Sequence, residues 1–141
     1  GGGGNYDVIL ASGVLYHQTN PVELLARLAG RGRHLFIWTH YYDATFMAAH
    51  PEIGGYFDPV PQASEVEGFR HQLHRKRYAE ALQWAGFCGG GAIEASWLTQ
   101  ATLLQAITHF GFEVVELWDE RKHGVPTNPN GPTLLLAARA R

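Results

Sequence analysis

Two histidines follow apolar segments that have the length and composition of buried strands. His17 lies shortly after the apolar run 8–12, and His40 directly follows the apolar run 34–39. Ligands bind outside the carboxyl ends of strands in open α/β sheets. A histidine at such a position can orient a ligand or take a proton from it near neutral pH. The competing interpretation is that each ring only caps a loop or packs beneath one.

The residues beside these histidines share their position at the strand ends. Ser12, Gly13 and Tyr16 accompany the first histidine, and Tyr41 accompanies the second. Gly13 has no side chain, so a ligand can approach its backbone closely. The alternatives are ordinary turn chemistry for the first three residues and aromatic packing under a loop for Tyr41.

A basic cluster lies between residues 70 and 77. Its members are Arg70, His71, His74, Arg75, Lys76 and Arg77. Such a face could hold a phosphate-rich substrate, and Arg77 is the candidate for that contact. The competing interpretation is a solvated helix face, which the net charge of -2 favours. We exclude a zinc site at the two histidines of the cluster because no third ligand is evident.

The first of these candidates are positioned by a strand, a helix and a second strand. Asn20-Pro21 is a typical helix start, and the glycine at position 30 ends the short amphipathic segment that follows. The flanking apolar runs 8–12 and 34–39 then form parallel neighbours in one sheet, because a crossover helix joins parallel strands.

The sequence pattern in the rest of the chain predicts two more helices and two more strands. One helix starts at Ser64, with Glu67 completing a capping box, and runs to about Trp84. Thr99 caps the other, and the preceding Trp97 is interpreted as a hydrophobic staple. The segment 112–118 alternates at period two like an edge strand, and the apolar run 133–138 is a last buried strand. Residues 40–64 form a long aromatic loop.

Composition limits the remaining possibilities. A length of 141 residues with 45% hydrophobic residues is sufficient for one packed domain. The single cysteine, Cys88, excludes an intrachain disulfide, and no apolar run approaches the roughly 20 residues that span a bilayer. We therefore expect a cytoplasmic protein without membrane association. The glycine run 1–4 is expected to be disordered or a remnant of cloning.

The beginning and end of the chain resemble class I S-adenosylmethionine-dependent methyltransferases. The run 6–17, YDVILASGVLYH, followed by Asn20-Pro21 and Leu24-Leu25, is similar to the fourth strand and following helix of that fold. Its GVLYH segment resembles the branch related to enzymes that modify the wobble uridine of tRNA. Residues 97–118 and 134–138 resemble the final helix and hairpin of the fold.

This resemblance implies an α/β fold, the C-terminal half of a Rossmann-like methyltransferase. The sheet would be mostly parallel and end in an antiparallel hairpin, whose last strand lies between the second and third strands of this chain. Residues 5–141 would form one partial domain, with 41–95 as an inserted lid or substrate-binding segment. S-adenosylmethionine is the implied cofactor. The assigned roles are catalytic for His17 and Tyr16, cofactor-binding for Ser12 and Gly13, substrate-binding for His40, Tyr41 and Arg77, and metal-binding for no residue.

The sequence also departs from the family. The Gly-x-Gly turn after the family's first strand and the acidic residue after its second are both missing here. We therefore expect a methyltransferase fragment that supplies the acceptor-side wall and a lid, and that is inactive in isolation. The alternative is a non-catalytic binding or dimerisation module. The acceptor, a tRNA or a small molecule, stays open.

The first predicted strand lacks the neighbouring strand that it has in the family, which predicts self-association. Residues 8–11 carry no charge or proline that would block pairing at a strand edge. We expect a homodimer joined through residues 6–12, or pairing with a missing N-terminal half, because an isologous contact needs only one self-complementary surface. Light scattering over a dilution series should show a mass above that of the monomer. A monomer at every concentration, with slowly exchanging amides in 8–11, would contradict this prediction.

Overall fold

The chain forms two β-sheets and four α-helices within residues 6–77, 94–123 and 131–141, which the computed structural model describes. The strands are β1 Tyr6–Ser12, β2 Gly32–His40, β3 Gln62–Val66, β4 Phe69–Arg77, β5 Glu94–Trp97, β6 Phe112–Asp119 and β7 Thr133–Ala140. The helices are α1 Pro21–Leu28, α2 Ala44–Ala49, α3 Pro51–Gly54 and α4 Gln100–His109. The glycine run 1–4, Cys88 and the expected helix end at Trp84 lie outside the described residues.

The larger sheet has the strand order β1-β2-β7-β6. β1 and β2 are parallel, whereas β7 runs antiparallel to both β2 and β6. The expected insertion of the last strand between its two neighbours is therefore confirmed. The expected mostly parallel sheet is wrong: the sheet is mixed, because in its described part a crossover helix joins only β1 to β2.

Helix α1 begins where the Asn20-Pro21 pair predicts. The Asn20 side chain accepts a hydrogen bond from the backbone N–H of Val22 at 3.1 Å. Thr99 caps α4 in the same way, because its hydroxyl accepts from the backbone N–H of Thr102 at 3.1 Å. Both caps satisfy helix donors that would otherwise lack a partner.

The two longer helices cover one face of the larger sheet. Val22 and Leu25 of α1 and Ile107 of α4 pack in one buried cluster with Leu35 and Ile37 of β2. The opposite face is bare in the described part of the chain. Its exposed apolar residues are Val8, Leu10, Phe36, Trp118 and Leu135. No described helix is long and apolar enough to cross a membrane.

The second sheet replaces an expected helix. Its strands lie in the order β3-β4-β5, all antiparallel, so the helix expected from Ser64 is wrong over the described residues 64–77. Along β4, His71 and Leu73 are buried while Arg70 and Gln72 are exposed, which is the period of a strand. The basic cluster therefore does not lie on a helix.

The expected capping box is also wrong. The Ser64 hydroxyl accepts a hydrogen bond from the Asn20 amide at 3.0 Å and so ties β3 to the start of α1. Glu67 and Gly68 form a two-residue turn in which both have positive φ, 47° and 82°. Such a turn matches the twist of an antiparallel hairpin. The aromatic segment 40–64 also differs from expectation, because it contains the short helices α2 and α3.

The turn yields a prediction about stability. Gly68→Ala should lower the free energy of unfolding by about 1 kcal/mol, because a left-handed conformation is costly for residues with a Cβ. No steric clash contributes, since an added Cβ meets no atom within 4 Å. Glu67→Asn should stabilise by about 0.5 kcal/mol, because asparagine tolerates positive φ. Urea unfolding measures both values.

The matched control is Gln62→Ala at an exposed position of β3, which should leave the free energy of unfolding nearly unchanged. If Gly68→Ala were as neutral as this control, the turn would not require positive φ.

Candidate active site

The candidate site lies where β1 and β2 end at the same edge of the larger sheet. Gly13 follows β1 with φ +74°, and its N–H donates to the carbonyl oxygen of Trp38 at 3.0 Å. This turn leads into a 3-10 helix, Leu15–His17, which carries Tyr16 and His17. The two catalytic candidates therefore stand beside the end of β2, where His40 lies.

His40 is enclosed by aromatic rings. Its ring stacks on Trp97, with centroids 5.0 Å apart and an interplanar angle of 18°. Tyr16 meets the same ring edge-on at 4.6 Å and lies 4.2 Å from the ring of His17. Only 5% of His40 is exposed. The structure thus brings three of the predicted site residues, Tyr16, His17 and His40, into one cluster.

The protonation state of His40 follows from this burial. Removal from water, with smaller contributions from the positive charge of Lys76 and from His17, lowers the pKa of His40 to about 4. The Gly131 carbonyl acts against this shift by accepting a hydrogen bond from Nδ1 at 3.2 Å. Because a carbonyl only accepts, Nδ1 carries the proton, and the neutral ring leaves Nε2 as a proton acceptor.

His17 is also biased toward its neutral form. Burial lowers its pKa, and the nearby ammonium group of Lys76 adds to the shift. Burial likewise lowers the pKa of Lys76. At neutral pH both imidazoles are therefore uncharged, and each keeps one ring nitrogen without a proton that can accept a hydrogen bond.

Lys76 and Trp97 are site residues that the sequence reasoning missed. The ammonium nitrogen of Lys76 lies 4.8 Å from the ring centroid of Trp97 and 6.0 Å from that of Phe57. Trp97 is 1% exposed and pairs with His74 across β4 and β5, so it is not a staple in front of a helix. The sequence signal that could have identified Lys76 is the two-residue period of a strand. In a strand, every second residue of the basic cluster lies on one face.

The indole N–H of Trp97 is buried and has no hydrogen-bond partner among the described residues. Buried donors are normally satisfied, so this one indicates a place for an acceptor atom at the candidate site.

Tyr41 and Arg77 lie apart from this cluster. The Tyr41 hydroxyl donates to the carboxylate of Asp119 at 2.7 Å, and burial together with that carboxylate raises the pKa of the phenol. Arg77 forms an ion pair with Asp58, with 2.8 Å between Nε and Oδ1. Ser12 is exposed at the end of β1, paired in register with Trp38. Among the residues that the structure describes, no three potential ligands are grouped to hold a metal ion.

Solved structures with similar folds are methyltransferases or contain the product of the methyl donor. A scan of protein-family models and a search of curated proteins found no match. The N-terminal domain of EvdMO1, crystallised with S-adenosylhomocysteine (SAH) and D-fucose, matches 98% of this chain with a TM-score of 0.60 and 20% identity. Magnesium protoporphyrin IX methyltransferase from Synechocystis PCC 6803, with bound SAH, matches 98% with a TM-score of 0.55 and 14% identity. The chain shares the methyltransferase fold.

A third similar structure is an S-adenosylmethionine-dependent methyltransferase from Mesorhizobium loti, with a TM-score of 0.52, 15% identity and 94% of this chain covered. The chain spans only part of each structure: 48% of the EvdMO1 domain, 46% of the Synechocystis enzyme and 61% of the Mesorhizobium enzyme. It therefore spans about half the length of the first two.

The lowered pKa of His40 predicts that acid destabilises the protein. Between the ordinary pKa of 6.5 and about 4, the unfolded chain binds a proton that the folded chain does not, so stability falls as pH falls through this window. From pH 7.5 to pH 5.0, His40 alone should cost about 2 kcal/mol of unfolding free energy. Urea unfolding at the two pH values measures this loss.

The variant His40→Gln should remove most of that pH dependence. His34→Gln serves as the matched control, because His34 is exposed on the same strand. Equal pH dependence in the wild type and in both variants would show that His40 does not titrate below its ordinary range.

Proposed function

We propose that this chain is part of an S-adenosylmethionine-dependent methyltransferase and forms the acceptor side of its active site. The observation that carries this proposal is the neutral His17–His40 pair, enclosed by aromatic rings at the strand ends of a methyltransferase fold. The fold alone supports the class of enzyme, and the protonation state of the two histidines supports the acceptor side.

The cofactor supplies an activated methyl group when bound, so the protein mainly has to align the acceptor and exclude water. An acceptor oxygen or nitrogen that received this methyl group would have to lose its proton. His17 is proposed to take that proton. Tyr16, whose ring contacts the rings of both His17 and His40, is proposed to hold the two imidazoles in position.

Gly13 lies in the turn that follows β1, at the edge proposed for the cofactor. A Cβ at this position would meet the Tyr16 hydroxyl at 3.8 Å and the Trp38 ring at 3.9 Å, which are ordinary contacts, so the positive φ of +74° is what favours glycine here. We propose that Gly13 and Ser12 contact the cofactor on this side. The segments that hold its other parts in the family were not recognised in this sequence, so we propose that they belong to the rest of the enzyme.

The bare face of the larger sheet supports the same conclusion. Leu10 is 72% exposed and Val8 54%, next to the exposed rings of Phe36 and Trp118. Exposed apolar surface of this extent marks an interaction site. We propose that the remaining half of the methyltransferase covers this face and completes the cofactor site.

Two classes of methyl acceptor are proposed. The GVLYH segment, which ends at His17, supports a tRNA uridine through its resemblance to the wobble-uridine branch. The EvdMO1 domain crystallised with D-fucose supports a sugar-like small molecule.

Calorimetry with SAH tests the proposed function. The chain alone should bind SAH weakly, with a dissociation constant of about 1 mM or higher, because it provides one side of the site. The complete enzyme proposed here should bind at least about 100-fold more tightly, a difference of roughly 2.7 kcal/mol. Absence of SAH binding by the complete protein would disprove the proposal.

A pair of variants distinguishes a role of His17 in proton transfer from a role in SAH binding. In the complete protein, His17→Ala should keep SAH binding but slow methylation of an accepted substrate by about 10²- to 10⁴-fold, as expected for loss of a general base. The control His34→Ala, at an exposed position of β2, should keep both. An unchanged rate in a folded His17→Ala protein would exclude His17 from proton transfer.

A further inference from the structure

A cleft with a volume of about 590 Å³ lies beside the candidate active site. It opens between the end of β2, the start of α4 and the end of β6, and Tyr41, Gln100 and Arg121 are among its lining residues. The volume is within the range of small-molecule sites, roughly 300–1,000 Å³. The cleft shares no lining residue with the cluster around His40, so it is a separate site.

The floor of the cleft is a buried, hydrogen-bonded carboxylate. Asp119 is 6% exposed. It accepts hydrogen bonds from the Tyr41 hydroxyl at 2.7 Å, the Gln100 amide at 3.2 Å and the backbone N–H of Arg121 at 3.0 Å. These donors come from the residue after β2, from the start of α4 and from the segment after β6, so they fix the orientation of this carboxylate.

One wall pairs a carboxylate with a guanidinium group. Arg121 donates to Asp43 Oδ2 at 3.1 Å, while Asp43 Oδ1 accepts from the backbone N–H of Phe46 at the start of α2. Both side chains stay about one third exposed, at 33% and 32%. Acceptor and donor atoms therefore stand side by side at the cleft surface in a fixed orientation.

The charges that line the cleft cancel. Asp43 and Asp119 contribute two negative charges, and Arg121 and Lys122 contribute two positive charges. This balance gives no net attraction for a strongly charged ligand. Tyr42 adds an aromatic wall, since its ring is held in place by stacking on His74 at 3.7 Å and 5°.

We infer that this cleft binds a neutral polyhydroxylated ligand, either a free monosaccharide or the sugar portion of a larger molecule. Neighbouring hydroxyl groups donate and accept hydrogen bonds, so they match an adjacent carboxylate and guanidinium. The C–H face of a sugar ring is apolar and suits contact with Tyr42. This inference goes beyond the proposed function, because binding of a sugar in the cleft does not require methyl transfer.

NMR titration of the isolated chain with methyl α-D-glucopyranoside tests the inference. Saturable shifts of the amides of Gln100 and Arg121 should give a dissociation constant in the millimolar range. Glucuronate and glucosamine, which add a negative and a positive charge to the same ring, should each bind at least about fivefold more weakly. Tighter binding of either charged sugar, or shifts confined to other parts of the chain, would overturn the inference.

Two variants locate the binding groups. Asp43→Asn keeps the volume and the helix cap but removes the ion pair, and Gln100→Ala removes one amide of the floor. Each should weaken glucoside binding, Asp43→Asn by about tenfold, because hydrogen bonds to charged groups are the stronger ones. The control Arg139→Gln removes the exposed ion pair with Glu113 and should change nothing.

Folding of each variant is verified by its melting curve, and Gln100→Ala keeps the test valid if Asp43→Asn is unstable. Wild-type affinity in both folded variants would disprove the assignment.

A larger ligand is distinguished from a free sugar by comparing the affinity for the glucoside with the affinity for an oligosaccharide. A gain in affinity of tenfold or more indicates the larger ligand. Calorimetry with SAH does not depend on sugar binding. Failure of the sugar-binding inference and failure of the proposed function can therefore be told apart.

Discussion

The stack of His40 on Trp97 is the contact on which the arrangement of the two sheets at the candidate site depends. His40 ends β2 of the larger sheet, and Trp97 ends β5 of the smaller one. The smaller sheet thereby covers the strand ends where ligands bind in α/β folds. Burial of both rings excludes water from this edge, so displacement of either ring would expose the imidazole and change its protonation.

Exclusion of water explains several properties of the site together. It keeps His17 and His40 neutral and lowers the pKa of Lys76, whose ammonium group lies against the Trp97 ring. Electrostatic interactions strengthen in such an environment. In the cleft at Asp119, by contrast, acidic and basic side chains offset each other's charge. Within the described part of the chain, one edge of the larger sheet thus carries an aromatic site beside the cation of Lys76 and a polar cleft without net charge.

Local rules predicted the helices that begin at Asn20 and Thr99, because a side-chain cap acts over two or three residues. They failed at Glu67 and Gly68, because glutamate rarely adopts positive φ and the turn depends on the pairing of β3 with β4. The position after two apolar strands placed Tyr16, His17 and His40 at one edge of the sheet, and the structure brings them together there. Lys76 and Trp97 were not assigned to the site because a tertiary contact between the sheets, and no local pattern, brings them to His40.

The pairing of β2 with β7 also determines when the fold can be completed. His34 lies opposite Arg139, more than a hundred residues later in the chain. Such distant partners make folding slow, since a long loop must close before the contact forms. During synthesis the N-terminal strands emerge first. The central strand β2 therefore keeps one edge unpaired until β7 has been synthesised.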